Sequence, residues 1–241
     1  MREVAIEVKD LVKLYGSIKA LDGISFKVSE GEIFGLVGPN GAGKTTTLRI
    51  VATLLKPTSG TVKVFNHDVV KEASEVRKLI SYLPEEAGAY RFLTGREYLE
   101  FMAKVYRAPM SVVEEGIKIS GLGDAIGKQV KTYSKGMKRR LLVARALMVK
   151  PKLAILDEPT AGLDVAHAVY VRKVIKNYSR DYGVTVLLSS HNMLEIEYLC
   201  DRVALIDKGR IVEIGSPREL IESYGVENLE EVFVKVVSSV R

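Results

Sequence analysis

The residues best suited to chemistry form a glycine-rich run that ends in a lysine and two threonines. Gly38, four further residues and then Gly43-Lys44-Thr45 have the spacing of a phosphate-binding loop. In such a loop backbone N–H groups turn inward around phosphate oxygens, and the helix that follows favours negative charge at its N-terminus. Lys44 would supply a mobile positive charge for the terminal phosphates, and Thr45 a hydroxyl ligand for Mg²⁺. The nucleoside triphosphate site predicted here comprises Gly38, Pro39, Asn40, Gly41, Ala42, Gly43, Lys44, Thr45 and Thr46.

Two carboxylates supply the second part of the predicted chemistry. Asp157 and Glu158 come directly after the apolar run 153–156. A buried strand delivers the side chain at its carboxyl end to the crevice in which α/β proteins bind ligands. Asp157 is therefore predicted to hold Mg²⁺, directly or through water, and Glu158 to polarise the water that attacks the terminal phosphate.

His191 follows a third apolar run, over 184–188. At the end of a core strand, a neutral imidazole can donate a hydrogen bond to a terminal phosphate oxygen. We therefore predict that His191 acts with Glu158 and Lys44 in catalysis. The other two histidines have no such setting and are predicted to be surface or packing residues.

Strands that alternate with helices must position these groups. Apolar runs over 33–37, 153–156 and 184–188 are typical of buried strands, and a helix is predicted over 46–55 directly after the glycine loop. Further predicted elements are alternating strands over 4–8, 24–28 and 62–64 and a hairpin over 202–214. Helices are predicted over 94–106, from 111, over 135–149, over 165–180, from 216 and over 228–237, and those at Thr94 and Ser216 begin with a capping box.

This order predicts an α/β fold with a mostly parallel sheet, a small N-terminal antiparallel sheet and a helical insertion. The insertion would occupy about 89–150, and the core about 1–88 and 151–241, within one domain of 241 residues. No apolar run approaches the roughly 18–20 residues of a membrane span, and the start of the chain does not have the pattern of a signal peptide. A single cysteine excludes internal disulfides and fits a reducing cytoplasm.

The formal net charge of +6 is compatible with nucleotides, an anionic membrane surface or nucleic acid as partners. Its densest basic cluster is Lys135, Lys138, Arg139 and Arg140, which by itself leaves nucleic-acid binding open.

One further motif carries a family resemblance that extends over the whole chain. Tyr133-Ser134-Lys135-Gly136-Met137 precedes the acidic strand and places Ser134 at a helix N-cap, where free N–H groups form an anion site. With the glycine loop and Asp157-Glu158, it resembles the signature of ATP-binding subunits of ABC transporters. The resemblance implies the ABC ATPase fold, a P-loop NTPase core with a helical insertion.

Several roles follow from the resemblance alone. Ser134 and Gly136 would contact the ATP that is held by the second ATPase subunit of a head-to-tail dimer. Asp164, in the loop Ala161-Gly162-Leu163-Asp164, would communicate across that dimer and also cap a helix. Tyr15 would stack on adenine.

Two positions depart from the family pattern. The signature is usually Leu-Ser-Gly-Gly-Gln, and three of its five residues differ in this chain, although Ser134 and Gly136 are kept. Glu85 stands where the family usually has a glutamine that contacts Mg²⁺ and the attacking water. A glutamate can bind Mg²⁺ or accept from water, so Glu85 is predicted as a metal and nucleotide contact.

The function implied is ATP hydrolysis that powers transport, with export favoured by the form of the signature. The partners would be a second ATPase subunit, identical or related, and separate integral membrane permease subunits, with this chain peripheral to the cytoplasmic face of the membrane. No nucleic acid is then expected. The alternatives are a soluble ABC-type ATPase acting on DNA or ribosomes, which typically carries long coiled-coil insertions or tandem cassettes, and a small-molecule phosphotransferase, which has no use for the signature.

Overall fold

Two β-sheets and nine α-helices make up residues 3–239, the part of the chain that this computed structural model describes. The strands are β1 (Val4–Tyr15), β2 (Ile18–Ser29), β3 (Ile33–Val37), β4 (Ser59–Val64), β5 (His67–Asp68), β6 (Ile80–Leu83), β7 (Leu153–Asp157), β8 (Thr185–Ser190), β9 (Arg202–Asp207) and β10 (Arg210–Gly215). The helices are α1 (Lys44–Val51), α2 (Ala73–Leu79), α3 (Gly95–Val105), α4 (Val112–Ser120), α5 (Lys135–Leu147), α6 (Val165–Tyr182), α7 (Met193–Leu199), α8 (Pro217–Tyr224) and α9 (Leu229–Ser239). Two 3₁₀ turns, Gly123–Gly127 and Val130–Thr132, precede α5.

The central sheet has six strands in the order β10-β9-β3-β8-β7-β6. All neighbouring pairs are parallel except β9 and β10, which form the predicted hairpin. β3, β7 and β8 are buried along their whole length, as their apolar sequences predict. Since Val37 pairs with Ser190 and Asp157 with Ser189, the carboxyl ends of three strands meet at one edge of the sheet.

The second sheet is antiparallel, in the order β2-β1-β4-β5, and confirms the predicted N-terminal β layer. Its strict alternation fails at one point, because Ala5 and Ile6 are both buried where the pairing of β1 with β2 shifts register. α1 fills the space between the two sheets, with Leu48, Ile50 and Val51 buried in their shared core.

The opposite face of the central sheet is covered by helices. α3, α4 and α5 lie between β6 and β7 in the chain, as predicted for the insertion, and α5 packs its apolar side into the core against the sheet. The helical character of this segment is interrupted only by an isolated bridge between Thr94 and Gln129 within the described residues. None of the helices formed by residues 3–239 combines the length and the apolar composition that crossing a membrane requires.

The helix after the glycine loop is shifted relative to its prediction. It was expected over 46–55, but α1 begins two residues earlier and ends at Val51. Its start is set by Gly43, whose φ of 109° reverses the chain at the N-cap, and its end precedes Thr53, whose φ is 63°. α2, β6 and α7 were not predicted. Each has seven residues or fewer, which is too short for its apolar residues to show a clear helix or strand period.

Two helix starts in the insertion provide a matched test of capping. At α3, the Thr94 hydroxyl accepts from the Glu97 amide at 3.2 Å, and the Glu97 carboxylate accepts from the Thr94 amide at 2.7 Å, the predicted capping box. At α4, Ser111 has a helical backbone and makes no cap hydrogen bond with its side chain.

Thr94→Ala is expected to lower the free energy of unfolding by about 1 kcal/mol, because the Glu97 amide loses the hydroxyl that accepts its hydrogen bond. Ser111→Ala should change it by less than about 0.5 kcal/mol. Urea unfolding followed by circular dichroism measures both, and equal losses in the two variants would contradict the capping assignment.

Candidate functional site

The glycine loop wraps around its own lysine. Lys44 is the first residue of α1, its side chain is only 6% exposed, and its Nζ donates to the carbonyls of Gly38 at 2.7 Å and Pro39 at 3.1 Å. A β-carbon at Gly43 would collide with the carbonyl of Ala20, so close packing as well as the positive φ requires glycine there. The ammonium group is thus fixed at the centre of the predicted phosphate site.

Asp157 is held by three hydroxyl groups at the carboxyl end of β7. Its Oδ1 accepts from Ser189 Oγ at 2.6 Å and from Thr45 Oγ1 at 3.1 Å, and its Oδ2 from the Tyr82 hydroxyl at 3.5 Å. Burial, followed by the nearby Asp157 charge, raises the pKa of Tyr82, so the phenol remains a donor. Thr45 and Asp157, the two predicted Mg²⁺ ligands, are therefore in contact although they are 112 positions apart in the chain, and their role as metal ligands stays a prediction.

These oxygens fit Mg²⁺, which binds through few protein ligands and completes its shell with phosphate oxygens and water. Residues 3–239 contain no group of three or more His, Cys, Asp or Glu side chains arranged to hold an ion unaided. A hydroxyl and a carboxylate placed beside a phosphate loop are instead the donor set for an ion that arrives with a nucleotide.

Glu158 joins the lysine to the histidine. Its Oε1 lies 3.5 Å from Lys44 Nζ, and its Oε2 lies 2.9 Å from His191 Nδ1. Glu158 therefore contacts both of the other residues predicted for catalysis. Glu158 has a φ of 48°, a conformation that costs of order 1 kcal/mol for a residue with a side chain. Ser189 helps to hold it, because the Ser189 hydroxyl accepts from the Glu158 amide at 3.0 Å.

The carboxyl edge of the sheet opens into a polar cleft of about 280 Å³. Glu85, in the loop after β6, lines this cleft together with Glu158 and the loop residues from Asn40 to Thr46. Tyr15 does not line it. Tyr15 ends β1, is 45% exposed and has Lys13 Nζ at 5.2 Å from its ring centroid, so its contact with adenine stays a prediction.

This arrangement matches a known family. The family model described as "ABC transporter" matches residues 21–161, more than half of the chain. The chain belongs to the ABC transporter family. It is an ATP-binding subunit of this family and an ATPase.

Individual proteins agree with that assignment. The chain is 43% identical to the daunorubicin/doxorubicin resistance ATP-binding protein DrrA of Streptomyces peucetius, over 92% of this chain and 68% of DrrA. A structure described as the ATP-binding subunit of an ABC transporter superposes with a TM-score of 0.86 and 28% identity, covering 97% of this chain and 99% of that one. A dimer of the ATP-binding cassette MJ0796, in a post-hydrolysis state bound to ADP and Pi, gives a TM-score of 0.78 and 25% identity over 88% and 98% of the two chains.

The signature of this ABC subunit lies at the start of α5. Ser134 is the N-cap, and its hydroxyl accepts from the Met137 amide at 3.2 Å, while Asp164 caps α6 through the amide of His167 at 2.9 Å. Gly136 lies against the imidazole of His167, with no room for a β-carbon. Ser134, Gly136 and Asp164 do not line the cleft that contains Lys44.

Several residues of the site were missed in the sequence. Ser189 bonds both acidic residues, and its only signal was a small polar residue at the end of a buried strand. Glu195, on α7, is buried and accepts from the Thr160 hydroxyl at 2.5 Å and from Arg172 at 3.0 Å, which ties the loop after Glu158 to α6 and α7.

The position of Arg139 differs from the one that the sequence predicted. It was grouped with the basic cluster at the start of α5, as a candidate contact for nucleic acid, but only 7% of the residue is exposed. Since a buried guanidinium cannot meet a phosphate backbone, Arg139 does not belong to a basic surface.

Gly136→Ala is expected to lower the free energy of unfolding by about 1–3 kcal/mol, because the new methyl group overlaps the His167 ring. The double variant Gly136→Ala/His167→Ala should recover most of this loss, since the methyl then enters vacated space. Gly127→Ala is the control, because its β-carbon would meet nothing within 4 Å, and it should change stability by less than about 0.5 kcal/mol. A double variant no more stable than Gly136→Ala in chemical denaturation would show that another contact requires the glycine.

Proposed function

We propose that this chain is the ATPase subunit of an exporter, and that Glu158 activates the water that attacks the γ-phosphate of ATP. The contact of Glu158 with both Lys44 and His191, next to the Thr45–Asp157 pair, is the observation that carries this proposal. This arrangement brings together a group that can bind phosphate, a group that can bind a metal ion and a base that can activate water.

Each side chain then has a definite task. Lys44 exchanges its carbonyl partners for β- and γ-phosphate oxygens, and the loop amides bind the same oxygens. Mg²⁺ held by Thr45 and Asp157, with Glu85 beside it, would neutralise the phosphate charge that develops during hydrolysis. Glu158 accepts a proton from the attacking water, and His191 donates a hydrogen bond to the γ-phosphate. Tyr15 stacks on the adenine.

A second ATPase subunit completes the site. Ser134 and Gly136 stand at a helix N-terminus outside the cleft that contains Lys44, which suits an anion brought by another chain. The dimeric MJ0796 cassette supports the presence of a second subunit. In the head-to-tail arrangement that we propose, Ser134, Gly136 and Asp164 of one copy meet the nucleotide of the other.

A membrane subunit is the third component. Beyond the Glu85 loop, Tyr90, Phe92 and Phe101 surround an open, mainly apolar groove of about 550 Å³, and Phe92 is 76% exposed. We assign this groove to a helix of the permease, because it continues from the loop that carries Glu85 and so connects transport to the ATP site. The resistance function in the name of DrrA favours export. The chain would then lie at the cytoplasmic face of the membrane.

Glu158→Gln tests the catalytic assignment. It should lower kcat by at least about 100-fold, because glutamine cannot accept the proton, while ATP still binds and the ATP-bound dimer accumulates. Lys44→Ala is the matched variant, and its ATP affinity should fall by about 10–100-fold, because a charged hydrogen-bonding group is lost. Phosphate release, calorimetry and gel filtration with ATP–Mg²⁺ measure these effects.

A monomer in the presence of ATP, or hydrolysis at the unaltered rate, would contradict the role of Glu158. Copurification of tagged Glu158→Gln from native membranes then tests the partner. Recovery of a multi-span membrane protein supports the transporter, whereas recovery of DNA or ribosomes would overturn it in favour of the soluble ATPase.

A further inference from the structure

The buried guanidinium of Arg139 donates hydrogen bonds to the backbone of both loops that carry the active-site carboxylates. Arg139 lies on α5, one turn after the signature, and points beneath the cleft. It donates to five backbone carbonyls: those of Pro84 (3.2 Å), Glu85 (3.0 Å), Asp157 (2.7 Å), Glu158 (2.6 Å) and Pro159 (2.8 Å).

The five carbonyls belong to two separate segments. One follows β6 and carries Glu85, and the other ends β7 and carries Asp157 and Glu158. Nη1 binds the first segment, whereas Nε and Nη2 bind the second. A planar guanidinium can reach both at once because its donors point outward from a rigid fork, but a lysine ammonium donates from a single point.

The charge of Arg139 also matters. Burial lowers its pKa to about 10, and the neighbouring carboxylates of Asp157, Glu85 and Glu158 act in the opposite direction. The guanidinium therefore stays protonated at neutral pH, where it offsets part of the repulsion between three carboxylates gathered at one cleft.

Glu158 depends on this support more than its neighbours do. Its φ of 48° is unfavourable, so its conformation persists only because the surroundings fix it. Its amide donates to the Ser189 hydroxyl at 3.0 Å. Its carbonyl accepts from Arg139 at 2.6 Å and from the Ala161 amide at 3.2 Å, and of these three bonds only the one from Arg139 comes from the signature helix.

We infer that Arg139 is a positioning residue that sets the orientation of Glu158 and the distance between Glu85 and the Asp157–Glu158 pair, and so links the start of the signature helix to the catalytic centre of its own chain. The inference rests on the proposed catalytic role of Glu158. Arg139 is buried and does not line the cleft that contains Lys44, so its effect must appear in the rate of the chemical step and not in ATP binding.

Arg139→Gln and Arg139→Lys test this role in the chain of 241 residues. Gln removes the charge, while Lys keeps the charge and the aliphatic stem and is the deciding variant if Gln does not fold. Both should lower kcat by about 100-fold, the scale expected for a catalytic group that is slightly misplaced, with KM and the calorimetric Kd for ATP within about threefold of the unaltered chain.

Arg140→Gln is the matched control. Arg140 is the next residue on α5, donates to the carbonyls of Ser120 and Gly121, and stacks on Tyr170 with its guanidinium carbon 3.9 Å from the ring centroid. It touches neither catalytic loop, so its loss should reduce thermal stability but leave kcat within about threefold.

The outcomes distinguish the positioning role of Arg139 from the proposed role of Glu158 as the base. If Arg139→Lys keeps kcat within threefold of Arg140→Gln, or if kcat and ATP affinity fall together in step with thermal stability, the positioning role is wrong. If the unaltered chain hydrolyses ATP and Glu158→Gln hydrolyses it equally well, the proposed base is wrong, whatever Arg139 does. Loss of kcat alone, in both Arg139 variants and not in Arg140→Gln, supports the inference.

Discussion

The parallel pairing of β3, β8 and β7 is the constraint on which the rest of the molecule depends. Because Val37 pairs with Ser190, and Asp157 with Ser189, the glycine loop, the acidic pair and His191 leave the sheet side by side. These strands are buried on both faces, so a shift by one residue would move each side chain into a space that is packed around a different one. The catalytic contacts are consequences of this alignment.

Charge is arranged around that edge in two layers. In the upper layer, the Lys44 ammonium faces Glu158, which also contacts His191. In the lower layer, the Arg139 guanidinium binds the carbonyls behind the carboxylates. Both cations are buried and both donate to backbone carbonyls, which satisfies the requirement that a buried charge be paired and hydrogen-bonded. The difference is that Lys44 is accessible to a nucleotide from the cleft, whereas Arg139 is not.

The antiparallel sheet and the helical insertion support the active-site residues at the carboxyl edge of the central sheet, one from each side. β2 packs against the glycine loop where Ala20 and Leu21 lie next to Gly43, so the antiparallel sheet supports the loop. On the other face, α5 carries the signature at its first turn and Arg139 in the next. The helix that displays Ser134 outward is therefore the helix that supports Glu158 from within.

The sequence by itself determined the local parts: the buried strands, the capping boxes at Thr94 and Ser216, the phosphate loop and the acidic pair. Such features depend on spacing within a few residues, which a pattern records. Only the tertiary structure decided that Ser189 bonds Asp157 and Glu158, and that Arg139 is buried. An arginine close to three other basic residues on a helix predicts a basic surface, because nothing in the adjacent sequence reveals carbonyls from segments 18 and 54 positions away.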